Sequence, residues 1–155
     1  MGESSYPTLR LSQRIGQQWP KLEEARSFSV EKLGQLKNLI ADLDSSDTNV
    51  AVLGSLGRQE FTQDSDIDWY LLLDGQSDPN HHALFLDAQK RIKDFWRKDV
   101  GREQTFATIV SSHDLIHNIG GEEDTNRNLT RRLLLLLESS PFDRSNVQER
   151  VVTKS

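Results

Sequence analysis

Residues 52–73 read Val52-Leu-Gly-Ser-Leu-Gly-Arg-Gln-Glu-Phe-Thr-Gln-Asp-Ser-Asp-Ile-Asp-Trp-Tyr-Leu-Leu-Leu. Two apolar runs, residues 50–53 and 67–73, have the density of Val, Ile and Leu expected of strands, and a polar connection over 54–65 separates them. In the second run Ile67, Trp69, Leu71 and Leu73 alternate with Asp66 and Asp68. Positions i and i+2 of a strand share a face, so the spacing predicts both carboxylates on one face and the apolar set in the core. Two acids in such a strand are costly without compensation. A hard cation supplies it: paired carboxylates can hold Mg²⁺ (or Mn²⁺) through oxygen while substrate phosphates complete the shell. Two such ions, about 3.5–4 Å apart, stabilise the attacking and leaving oxygens of a phosphoryl or nucleotidyl transfer.

The start of the connection suits a phosphate. Gly54 lets backbone approach a ligand closely, the Ser55 hydroxyl can donate to a phosphate oxygen, and Arg58 can add a charge-assisted hydrogen bond. Gly57 allows a tight turn between them, and Glu60 reads as a structural partner in that turn. A lone Asp-x-Asp more often marks a turn or a solvated strand end. The weight comes from its combination with Gly54-Ser55 at the end of another strand.

Upstream, Leu9, Leu11, Ile15 and Trp19 predict a short amphipathic helix stopped by Pro20. Ser29 is expected to cap a helix that buries Val30, Leu33, Leu36, Leu39, Ile40 and Leu43. Downstream, Asn80 is expected to cap a helix burying Leu84, Phe85, Ala88, Ile92, Phe95 and Trp96, and residues 106–110 read as a third strand. Ser112 is expected to cap a short helix, and Thr125 or Asn126 a longer one. That last helix carries Arg131 and Arg132 as a basic shoulder before residues 133–137, five leucines that need burial on more than one side. The order predicts an α/β (α+β) domain over residues 1–140, with a small mixed sheet flanked by helices. Residues 141–155 read as a polar, poorly anchored tail, or as a linker to a further domain.

Other residues read more plainly. His113 and His117 lie one helical turn apart, but no third zinc ligand is evident. His81 and His82 are expected in solvent, and Trp19, Trp69 and Trp96 in the core.

Composition narrows the classes. The chain has 155 residues, 24 acidic and 19 basic, for a formal net charge of −5. Such a balance argues against a general nucleic-acid binder, which needs clustered Lys and Arg. There is no cysteine, which excludes disulfides and thiolate chemistry. Neither a secretory leader nor a membrane span is legible, the longest apolar runs being five residues, so the expectation is a cytoplasmic protein without membrane contact.

Gly54-Ser55, ten intervening residues, then Asp66-Ile67-Asp68-Trp69 resembles the signature of the DNA polymerase β-like nucleotidyltransferase superfamily. The fuller run over 54–68 is similar to the branch holding the uridylyltransferase/uridylyl-removing enzymes and the glutamine synthetase adenylyltransferases. The strong likeness covers residues 52–73, and a weaker one runs from Asp124-Thr125 to Arg131 and the leucine-rich helix. The resemblance implies a nucleotidyltransferase fold. It also implies that Gly54 and Ser55 hold the β- and γ-phosphates of a nucleoside triphosphate, that Arg58 assists, and that Asp66 and Asp68 ligate Mg²⁺ and carry catalysis. The acceptor hydroxyl would belong to a protein or a small molecule. The apolar terminal helix and the loose tail suggest a second domain, or a homodimer partner, that covers the sheet and selects the acceptor. Many members carry a third carboxylate on a later strand, but residues 106–111 have no acid. Glu103 and Asp114 are its nearest neighbours. Two readings therefore stand: a Mg²⁺-dependent nucleotidyltransferase, and a catalytically degenerate nucleotide-sensing regulatory domain.

Overall fold

In the computed structural model, residues 7–96, 107–119, 124, 126–140 and 147–154 are described. Helix α1 (Pro7–Ile15) forms where the leucine spacing predicts, yet Leu11 and Ile15 remain exposed. Pro20 does not end a helix but begins one. It occupies the first turn of α2 (Pro20–Ile40), where its missing N–H costs nothing. Ser29 therefore lies inside α2 rather than at its start, fully buried, and Val30 faces solvent. Leu36, Ile40 and Leu43 do enter the core.

Strand β1 (Thr48–Val52) leads to a one-turn helix, α3 (Gly54–Gly57), and then to β2 (Trp69–Leu73). The two strands are antiparallel, with Val50 opposite Leu71 and Val52 opposite Trp69. Helix α4 (Pro79–Phe95) is capped by Asp78, one position before Pro79, rather than by Asn80. Asp78 accepts from the Asn80 amide at 2.7 Å and donates its own N–H to His81 Nδ1 at 3.0 Å. With Nδ1 accepting, Nε2 carries the proton and faces Asp47 Oδ2 at 3.3 Å, so His81 is buried and bonded rather than solvated. Strand β3 (Thr108–Ser111) runs parallel to β2 and completes a three-stranded mixed sheet of order β1-β2-β3.

The cap of α5 (Ser112–His117) is Ser111, whose hydroxyl accepts from the His113 amide, while Ser112 is buried and donates to Asp74 at 2.9 Å. Helix α6 (Arg127–Glu138) follows Asn126, then α7 (Val147–Lys154). Thr125, the other expected cap of α6, lies outside the described residues. The end of the chain is better anchored than its polarity suggested. Val147 and Val151 of α7 are fully buried, and Arg150 Nε donates to Asp74 at 3.0 Å.

The sheet divides two cores. One holds Ile67, Trp69, Leu71 and Leu73 against α2 and α4, as the alternation predicted. The other holds Tyr70, Leu72, Leu115, Leu135, Val147 and Val151. β2 is thus buried on both faces, which explains its unbroken apolar run and corrects the expectation of one charged and one buried face. Of the six leucines in α6, only Leu135 is buried, and Leu129, Leu133, Leu136 and Leu137 stand exposed. No helix among the described residues is long and apolar enough to cross a membrane. The chain is a mixed α+β protein with a small sheet.

Candidate functional site

The acids flank the strand rather than lie on it. β2 begins at Trp69, so Asp66, Ile67 and Asp68 form the extended approach to the sheet. Asp68 still holds the sheet register, because its carbonyl accepts from the Leu53 amide at 2.9 Å. That bond sets the end of β2 beside the end of β1, where the chain turns.

The turn depends on Gly54. Its φ of +62° lies in the left-handed region, which costs a side chain dearly, and a Cβ there would collide with Asp68 Oδ2. The glycine thus lets the Asp68 carboxylate lie against the backbone where α3 starts. Backbone bonds then fix α3 and its exit: the Arg58 amide donates to the Gly54 carbonyl at 2.9 Å, and the Glu60 amide to the Ser55 carbonyl at 2.7 Å. Gly57 is required by a different neighbour, since a Cβ there would strike the Glu138 carbonyl at the end of α6.

Two distant side chains hold the rest of the connection. The buried Ser29 hydroxyl donates to the Ala25 carbonyl and accepts from the Phe61 amide at 2.8 Å. Trp96, at the end of α4, donates its indole N–H to the Ser65 carbonyl at 2.9 Å, and its ring packs on Phe61 at 4.8 Å. The segment carrying Asp66 and Asp68 is therefore tied to α2 and α4.

An open cleft of about 510 Å³ results, and Gly54, Ser55, Arg58, Asp66 and Asp68 all line it. Leu134 and Glu138 of α6 close one side. Glu138 is the residue that local sequence does not reveal. Its carboxylate accepts from Arg58 Nη1 at 2.6 Å, while Arg58 Nε donates to Glu60 at 2.9 Å. No motif marks Glu138, since only the packing of α6 on α3 brings it here.

Asp68 bears the electrostatic load. Burial pushes its carboxyl above the ordinary carboxylate range, the negative charges of Asp66 and Glu138 push further, and Arg58 opposes them. No ion pair or side-chain hydrogen bond reaches Asp68 among the described residues. A desolvated carboxylate in this setting fits a divalent cation, which would supply the missing positive charge. Among the described residues no three His, Asp or Glu side chains are gathered as a complete cage. A Mg²⁺ site of the kind that takes one or two carboxylates and completes itself with substrate phosphates needs none.

The other candidates fall elsewhere. Asp114 accepts from Asn118 Nδ2 at 2.9 Å and is not part of the cleft lining, and Glu103 lies outside the described residues. The His113 and His117 rings lie 4.8 Å apart and tilted by 47° on the exposed side of α5. Trp69 is core, Trp96 supports the cleft, and Trp19 is half-exposed.

No protein-family model matches this chain, and no curated protein or solved structure is significantly similar to it.

Proposed function

We propose that the cleft binds a nucleoside triphosphate with Mg²⁺ (or Mn²⁺) and passes its nucleoside monophosphate to an acceptor hydroxyl, releasing pyrophosphate. The observation that carries this reading is the Asp68 carboxylate lying against Gly54, with Ser55, Arg58 and Asp66 in the same cleft. Asp66 and Asp68 would hold the metal, which supplies positive charge to the phosphates and the leaving group. Gly54 lets the Asp68 carboxylate lie against the backbone at the start of α3, and the Ser55 hydroxyl would donate to a phosphate oxygen in the cleft. Arg58 would exchange one of its carboxylate partners, Glu60 or Glu138, for a phosphate oxygen. On this reading the fold is of the nucleotidyltransferase kind.

A second reading, nucleotide sensing without transfer, is favoured by Asp114, which is turned to Asn118 rather than into the cleft. One experiment tests both. Melting temperature is followed with each nucleoside triphosphate at millimolar concentration, with Mg²⁺ or Mn²⁺ and then with EDTA, and pyrophosphate release is measured in parallel. A metal-dependent rise with pyrophosphate release supports the enzyme. The same rise without release under any acceptor supports the sensor. No rise with any triphosphate overturns both.

A further inference from the structure

On the sheet face opposite α2 and α4, the Tyr70 hydroxyl lies buried near a half-buried arginine of α6, Arg131, that is unpaired among the described residues. Tyr70 is 1% exposed in the second core, and its hydroxyl has no hydrogen-bond partner. A buried phenol without a partner is a costly arrangement that a ligand oxygen would relieve. Arg131 is half-buried on α6, four residues before Leu135, which belongs to the same core cluster as Tyr70. One helical turn therefore places Arg131 beside that cluster. Arg131 makes no hydrogen bond or ion pair among the described residues. The same α6 face continues through Leu134 and Glu138, which line the cleft.

We propose that Arg131 and Tyr70 form an oxyanion subsite adjoining the cleft, one that takes a phosphate group. Both are donors: the guanidinium offers a fork matched to phosphate oxygens, and the phenol offers one O–H. An oxyanion between them would satisfy both groups at once, whereas a cation would be repelled by Arg131 and by Arg127, one turn earlier. Asp114 is the carboxylate that also faces Arg131. The electrostatics agree. Burial lowers the Arg131 pKa below its ordinary value and Arg127 lowers it further, against the pull of Tyr70 and Asp114. Burial raises the Tyr70 phenol well above its ordinary value, so it stays a neutral donor at all physiological pH. The subsite does not depend on a metal or on nucleotidyl transfer.

The test is calorimetric titration of the whole chain in EDTA, at constant ionic strength in chloride, with inorganic phosphate, pyrophosphate and a nucleoside triphosphate in separate arms. Wild type is expected to bind at least one of them. Tighter binding of the nucleotide identifies its phosphates as the source, and equal or tighter binding of the inorganic ions identifies free phosphate or pyrophosphate. Arg131→Gln and Tyr70→Phe should each weaken that binding about tenfold or more, and Arg132→Ala should not. Arg131→Lys, which keeps the charge but loses the fork, should fall between and serves if the glutamine variant does not fold. Because EDTA is present in every arm, loss of binding in the Arg131 and Tyr70 variants reports on this subsite and not on the metal-dependent reading of the cleft. Absence of binding in every arm, or full binding by a folded Arg131 variant, overturns the proposal.

Discussion

Gly54 and Asp68 occupy each other's space: a Cβ on residue 54 would fall on the Asp68 carboxylate, and the glycine's φ of +62° makes that approach possible. The end of one strand and the approach to the next are thereby locked together at the mouth of the cleft.

Gly54→Ala is therefore expected to cost stability before it affects any ligand. The left-handed conformation alone costs a side chain about 1–2 kcal/mol, and displacement of Asp68 adds to that. Gly54→Val should cost more, and Ser55→Ala should leave stability nearly unchanged. Urea unfolding of the three variants checks the order, and an alanine variant as stable as wild type would show that the turn is not strained.

Asp68→Asn should stabilise the ligand-free protein at neutral pH. The folded-state pKa of Asp68 is raised by burial and by Asp66 and Glu138, so the folded chain holds its proton more tightly than the unfolded chain. Stability from this group is complete below the unfolded carboxylate pKa and is lost as pH rises through the folded one. The melting temperature of the variant should exceed that of wild type at pH 7, and the gap should narrow toward pH 4. A gap that widens on acidification has the wrong sign.

Ser29→Ala should destabilise by about 1–3 kcal/mol, because the buried Phe61 N–H loses its acceptor. The same change loosens the segment between Phe61 and Asp68, so metal-dependent triphosphate binding should weaken as well. Denaturation and nucleotide titration on one preparation measure both effects.

Arg58→Ala should separate stability from binding. Its pairs with Glu60 and Glu138 are exposed enough that their loss should shift stability by less than about 1 kcal/mol. Triphosphate affinity should nevertheless fall about tenfold, with a weaker dependence on salt. A fall in stability without a fall in affinity would make Arg58 a structural residue only.

The sequence by itself determined the local chemistry. Glycine at position 54, the serine after it and the two spaced aspartates announce a turn and a pair of carboxylates. The alternation of Ile67, Trp69, Leu71 and Leu73 announces one core face, because period-two alternation is a property of neighbouring residues. The tertiary structure alone decided what those residues meet. The run of Tyr70 and Leu72 could have been an exposed face, and it is buried only because α5, α6 and α7 cover it. Ser29 looks like a helix start in isolation. Pro20 begins the helix earlier, and the serine becomes the acceptor that holds Phe61. Glu138 reaches Arg58 only through the packing of α6 against α3, since the two residues share no local motif. Periodicity and turn chemistry act over a few residues, whereas the carboxylate that completes the cleft was placed by the burial of Leu135, far along the chain.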